Sequence, residues 1–226
     1  MAAEDWERMG GLELYPTLPV AGERPIATFG AMTDAEELSP LGERMREWCA
    51  GRWWQWRLPL FLLLAAQATR PLRMQGEPHI FAGINFGAHE FGHLFFAFFG
   101  EWLTIAGGSL MQLLIPIGAA AVVGRSKDWF GVAVCGLFLA ASLGDLSWYI
   151  ADARARELDL VSFSPDTSGH DWAYLLRKAG MLRHDLRLAR LTKFIGWILV
   201  FASSFFAMRL LYWMKTEPVK SESDAG

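Results

Sequence analysis

Cysteine is nearly absent from these 226 residues, with Cys49 and Cys135 the only two. One precedes the first long apolar run and the other lies inside an apolar run, so a disulfide between them is not expected and neither reports an oxidising compartment. Charge is scarce too: charged residues make up 20% of the chain, against about 25% in a typical soluble domain. With a net charge of −3 there is no basic field, which excludes nucleic acid as a partner class. The scarcity is local. Residues 53–150 hold five basic and five acidic side chains among ninety-eight, whereas residues 1–52 hold five arginines and ten acidic residues. There is no internal repeat and no low-complexity tract. The opening MAAEDWERMGG is acidic and leads into no apolar stretch, so no cleavable signal peptide is expected.

What is there is apolar. Hydrophobic residues make up 53% and aromatics 14%, with a mean hydropathy of +0.21. They fall in five runs, and about 20 residues in a helix cross a ~30 Å hydrocarbon layer. The expectation is an all-α polytopic membrane protein with about five transmembrane helices: Trp53–Thr69, Ile80–Phe99, Leu103–Val123, Trp129–Ile150 and Phe194–Met214. The first run is short, carries Trp53, Trp54, Trp56, Arg57 and Pro59, and either spans or re-enters. Residues 1–52 read as an acidic arm. It ends in a short juxtamembrane helix, with Thr33 and Glu36 spaced as a capping box and Ser39-Pro40 as a second start signal. Residues 53–214 form the transmembrane domain, including a polar loop at 151–193, and 215–226 a polar tail.

Five crossings place the arm, the turn at Gly100–Trp102 and the 151–193 loop on one side. Near the spans that side carries eleven basic residues, Arg44, Arg46 and Arg52 with eight in 151–193, against six on the other. The positive-inside rule then predicts a cytoplasmic N-terminus, in a bacterial inner membrane.

Chemistry enters at His89-Glu90-Phe91-Gly92-His93 in the second run. Histidines at i and i+4 share one helix face and can bind one metal, and the intervening Glu90 can reach a metal-bound water as general base. Zinc suits such a set, because two imidazoles and a third protein ligand leave one position open to water. In a soluble helix the pattern recurs by chance. Inside an apolar run each ionisable side chain costs several kcal/mol and is normally functional, which favours metal-dependent chemistry over metal binding without catalysis or a structural polar cluster.

The third ligand is expected from another span at the same depth. Counted from the side where both helices begin, His93 lies ~20 Å deep and Asp145 ~24 Å. Asp145 is therefore the expected third metal ligand beside His89 and His93; the alternative for it is a hydrogen bond or ion pair to a neighbouring helix. In the third run Gly107, Gly108 and Ser109 make a small-residue seam. Gln112 either donates to a developing oxyanion or joins helices. In the loop, His170-Asp171-Trp172 opens an amphipathic helix. His170 and Asp171 either approach the metal, as fourth ligand or as supports of the ligands, or serve as helix-start residues. Asp152 is either a support of the same kind or a solvated partner of Arg154 or Arg156. His79 and His184 read as solvated residues at span ends.

HEFGH followed by a further apolar span and an intramembrane Asp resembles the site-2 protease family of intramembrane zinc metalloproteases. That resemblance implies His89, His93 and Asp145 as zinc ligands and Glu90 as catalytic base. Gly144-Asp145 reverses the family's usual Asp-Gly order, and no PDZ-like insertion is present. The chain is also similar to uncharacterised bacterial membrane proteins that combine HExGH, a GGS-like segment, D-x-x-x-Y-x-x-D-A-R and GHDW. Here these are residues 89–93, 107–109, 145–154 and 169–172.

The function expected from the sequence is hydrolysis of a peptide bond in a membrane-embedded or membrane-adjacent protein or peptide substrate, in contact with membrane lipid. The alternative is a non-enzymatic integral membrane subunit that binds metal, haem or pigment, or packs within a larger membrane complex.

Overall fold

A computed structural model describes residues 40–158 and 170–217, and every regular element among them is a helix. The Thr33–Glu36 capping box, Ser39, Ser168-Gly169 and the tail from 218 lie outside the described residues. The helices are α1 (Pro40–Cys49), α2 (Arg57–Arg73), α3 (Ala82–Phe96), α4 (Glu101–Arg125), α5 (Trp129–Ala151), α6 (Asp171–Lys178) and α7 (Asp185–Thr216). Short 3-10 turns at Ala97–Phe99 and Leu182–His184 precede α4 and α7. Gly100, with φ 93°, makes the reversal into α4 that a side chain would strain.

Three of the helices are long and apolar enough to cross a membrane: α4, α5, and α7 with its leading turn. Their outward faces carry large apolar side chains, with Phe201 68% and Phe205 76% exposed on α7. Such a surface suits a bilayer as the solvent. The other two expected spans are shorter. At 1.5 Å per residue α2 is about 25 Å long and α3 about 22 Å, both below a ~30 Å hydrocarbon thickness. The last helix is longer than expected and absorbs residues 185–193 from the polar loop.

α5 is the central helix, packed by α7, α4 and α2. Its small residues make this crowding feasible: Ala133, Ala140 and Ala141 are buried, and a Cβ on Gly136 would lie 2.2 Å from Ser203 Oγ of α7. A Cβ on Gly144 would meet Pro71 of α2 at 3.0 Å.

The contacts of α5 also set the direction of the first helices. Phe61 lies edge-on to Phe130 with centroids 6.2 Å apart, and Trp148 Nε1 donates to Pro71 O at 2.7 Å, so α2 runs parallel to α5. The chain then returns to mid-height, where Phe81 stacks on Phe138 at 5.0 Å. From there α3 runs in the same direction again and turns back into the antiparallel α4. Two successive helices therefore climb the same way, and α3 is a half-length element beginning beside the middle of α5.

This changes which end carries the N-terminal helix. α1 sits at the C-terminal end of α7, where Arg46 pairs with Glu217 and Lys215 lies over the Trp54 ring. α6 sits at the other end of the bundle, against the start of α4. The expected placement of the arm's helix and the 151–193 loop on one side is thus corrected. Counting α3 as a full crossing had inverted the parity.

The antiparallel α3–α4 pair depends on bare backbone. A Cβ on Gly92 would stand 2.1 Å from Gly107 O, and one on Gly107 would stand 2.7 Å from Gly92 O. Gly92→Ala is expected to destabilise the protein by about 1–3 kcal/mol through this overpacking. Gly87→Ala, which meets nothing within 4 Å, should not destabilise it. Thermal unfolding of both in one detergent checks this; equal midpoints would show that the pair tolerates separation.

Candidate metal centre

Helical spacing turns His89 and His93 to one face of α3, with ring centroids 4.8 Å apart. His93 Nδ1 lies 2.8 Å from Thr104 O. A carbonyl oxygen can only accept, so Nδ1 donates here and Nε2 is the ring atom turned outward. That atom is 3.2 Å from Asp171 Oδ2, and His89 Nε2 is 3.0 Å from the same oxygen. Among the described residues these three form the one group of His, Cys, Asp or Glu side chains placed to hold a metal ion.

The charge state sharpens the point. Burial acts to raise the Asp171 pKa, but hydrogen bonding from His89 and His93 outweighs it and holds the carboxyl down at about 2. The two Nε2 atoms that meet this carboxylate could instead present their lone pairs to a cation shared with Asp171. Tetrahedral zinc with bonds of roughly 2.0–2.2 Å separates its ligand atoms by about 3.3 Å, close to what is seen here. The donor set therefore fits zinc. His93 is the most open member, with 26% of its side chain exposed against 14% for His89 and 12% for Asp171.

Asp171 reaches this position because α6 is tied down residue by residue. His170 caps the helix by accepting from Ala173 N at 3.3 Å through Nδ1. Its ring stacks on Tyr149 at 4.4 Å, and burial pushes its pKa down, which keeps the capping nitrogen unprotonated. Its Nε2 lies 3.2 Å from Asp152 Oδ2 but is not aligned for a hydrogen bond. Tyr149 Oη accepts from Asp171 N at 3.1 Å. Trp172 Nε1 donates to Ser109 Oγ of α4 at 3.0 Å. His170, Asp171 and Trp172 thus supply a cap, a carboxylate facing both imidazoles and an anchor.

The back wall is Gly108. A Cβ there would lie 2.6 Å from His93 Nε2 and 2.7 Å from His89 Nε2, so the imidazoles occupy the space of a missing side chain. Glu90 is half-buried, and its charge acts on both His93 and Tyr149.

Several expected roles move. Asp145 is not in the three-residue group. It accepts from Asn85 Nδ2 at 2.6 Å and lies 3.1 Å from His79 Nε2. The depth arithmetic failed because α3 and α5 do not begin level: the first turn of α3 lies opposite Phe138 and Ser142, which raises His93 well above Asp145. His79, expected in solvent, is buried against Asp145. Gln112 is buried and donates to Ser142 O at 3.2 Å, so it joins α4 to α5. Asp152 does not pair with Arg154, which bonds Asp185. Its carboxylate accepts instead from the backbone N–H of Glu157 and Leu158 at 2.9 and 3.2 Å. It closes a turn beneath His170. Thr104 carries no sequence signal because it acts through its carbonyl, and Asn85 stands out only as an amide within an apolar run.

Compared with known proteins, the chain matches no family profile, no curated protein and no solved structure.

For a zinc ion held by these three side chains, Gly108→Ala is expected to lower the affinity by roughly tenfold to a hundredfold, the range seen when ligand orientation is disturbed. Trp172→Phe, which frees α6 from Ser109, should act in the same direction. Competition of each purified variant against a chromophoric chelator measures the effect; unchanged affinity in both would show that neither feature shapes the site.

Proposed function

We propose that this chain is a membrane-embedded zinc-dependent peptidase, with His89, His93 and Asp171 as the metal ligands and Glu90 as the general base. The observation that carries the reading is the meeting of two imidazole nitrogens on one Asp171 oxygen, with a carboxylate adjacent in sequence to the first ligand. The resemblance of HEFGH to the site-2 protease motif supports the same chemistry, with Asp171 in place of Asp145.

Zinc at this site would supply Lewis acidity and lower the pKa of a water it binds. The chain's own residues do the rest. Glu90 takes the proton from the attacking water and returns it to the departing amine, so that proton count and charge balance over the cycle. Thr104 O holds the His93 tautomer, and Tyr149 and Trp172 hold Asp171. Lateral access lies over α3, whose outward Phe91, Leu94 and Phe95 are at least half exposed. The substrate proposed is a peptide segment in or beside the bilayer.

In this reading α4, α5 and α7 cross the membrane, α2 crosses together with the Trp53–Trp56 segment that precedes it, and α3 enters from one face only. The loop from 151 and the first turns of α7 bring eight basic residues to the α6 end. The positive-inside rule then places α6 and the metal in the cytoplasmic half of a bacterial inner membrane, with α1 on the opposite side.

Purified protein is expected to hold close to one zinc per chain, lost in His89→Ala, His93→Ala and Asp171→Ala. Glu90→Gln should keep the zinc. Profiling of protein N-termini in membranes from cells producing wild type or Glu90→Gln should reveal new termini with the wild type alone. Identical profiles with zinc retained in both would overturn the peptidase assignment and leave a metal-binding membrane protein.

A further inference from the structure

The carboxylate that sequence depth marked as a ligand has another use. Asp145 lies in the middle of an apolar helix with 32% of its side chain exposed, and both of its oxygens face the start of α3. Oδ2 accepts from Asn85 in the first turn, and Oδ1 faces the buried His79 just before it. Ser142 Oγ, one turn earlier on α5, donates to Asn85 Oδ1 at 2.8 Å, so the amide is held from both ends. α3 packs chiefly on α4 and has little other contact with α5. Beside the Phe81–Phe138 stack and the edge-on His89–Tyr149 ring contact, these bonds are the polar tie between the helix that carries both histidines and the helix that fixes their carboxylate.

Helical spacing makes the tie consequential. His89 stands four residues after Asn85, and Tyr149, which accepts from Asp171 N, stands four residues after Asp145. One turn of each helix separates the tie from the metal-facing groups, about 6 Å of stiff backbone. A shift of α3 along α5 would carry His89 the same distance relative to Asp171.

We propose that Asp145 is a positioning residue: through Asn85 it sets the height of α3 against α5, and with it the spacing of the metal ligands. The proposal rests on the zinc-site reading above. It predicts that Asp145 never touches the metal yet tunes its affinity and ligand geometry.

Zinc affinity of the purified full chain, by chelator competition, and the visible spectrum of the cobalt(II)-substituted protein are the readouts. Asp145→Ala and Asn85→Ala should each weaken zinc by roughly tenfold to a hundredfold, keep one zinc per chain at saturation and shift the cobalt bands alike. The exchange Asn85→Asp with Asp145→Asn preserves every bond: Ser142 and the new amide donate to the new carboxylate, and His79 donates to the amide oxygen. It should restore affinity and spectrum to near wild type, and it carries the test where a single alanine variant does not fold. Loss of saturable zinc in Asp145→Ala with Asn85→Ala unaffected would overturn the proposal and make Asp145 a direct ligand. Wild-type affinity in both single variants, or no recovery in the exchange, would also overturn it. Failure of the wild-type chain to bind zinc would instead overturn the metal-site reading on which the proposal stands.

Discussion

The close approach of α3 and α4 at Gly92 and Gly107 is the contact on which the rest of the site depends. With no side chains between them, the backbones come near enough for Thr104 O to reach the His93 ring and for Gly108 to leave room for both imidazoles. Ser109, the next residue, then meets Trp172 and fixes α6. One stretch of α4, from Thr104 to Ser109, thus orients the histidines, shapes the wall behind them and anchors the helix that brings the carboxylate. Helices in a bilayer gain little from apolar contact with one another, because lipid offers the same contact. Small residues and hydrogen bonds must supply the association.

The same economy governs the polar groups inside the bundle. Asp145, His79, Asn85, Ser142 and Gln112 form a continuous chain of contacts from the start of α3 to α4. A charge in such a setting is costly unless paired, and pairing gives it a geometric duty. Two polar layers result, one helical turn apart: the lower ties helices together, and the upper gathers the metal-facing donors.

The helical class, the apolar helices α4, α5 and α7, and the histidine pair were legible because each depends on local pattern: runs of apolar residues and an i, i+4 spacing. The third member of the cluster was legible only as one candidate among several. Asp145, inside an apolar run, was favoured by depth over Asp171 in the polar loop, and reversing that choice needed the starting height of α3. That height shows in Phe81 meeting Phe138 and Asn85 meeting Asp145, contacts 57 and 60 residues apart in sequence with no local signal. The direction of α2 and α3 was hidden for the same reason. Length alone cannot separate a full crossing from a half-length helix that begins in mid-layer. Gly92, Gly107 and Gly108 were visible as small residues, but their specific partners were not.

The cluster draws on two kinds of chain segment. His89 and His93 belong to a helix within the bundle, while Asp171 belongs to a short helix that follows α5 and precedes α7. During synthesis the histidine pair can therefore be seated against α4 before its carboxylate has docked, and at that stage the two imidazoles are the only donors in place. Completion waits for α6 to settle on Tyr149 and Ser109. The connectivity thus puts the carboxylate last of the three side chains in the order of synthesis, ahead only of α7, which completes the bundle.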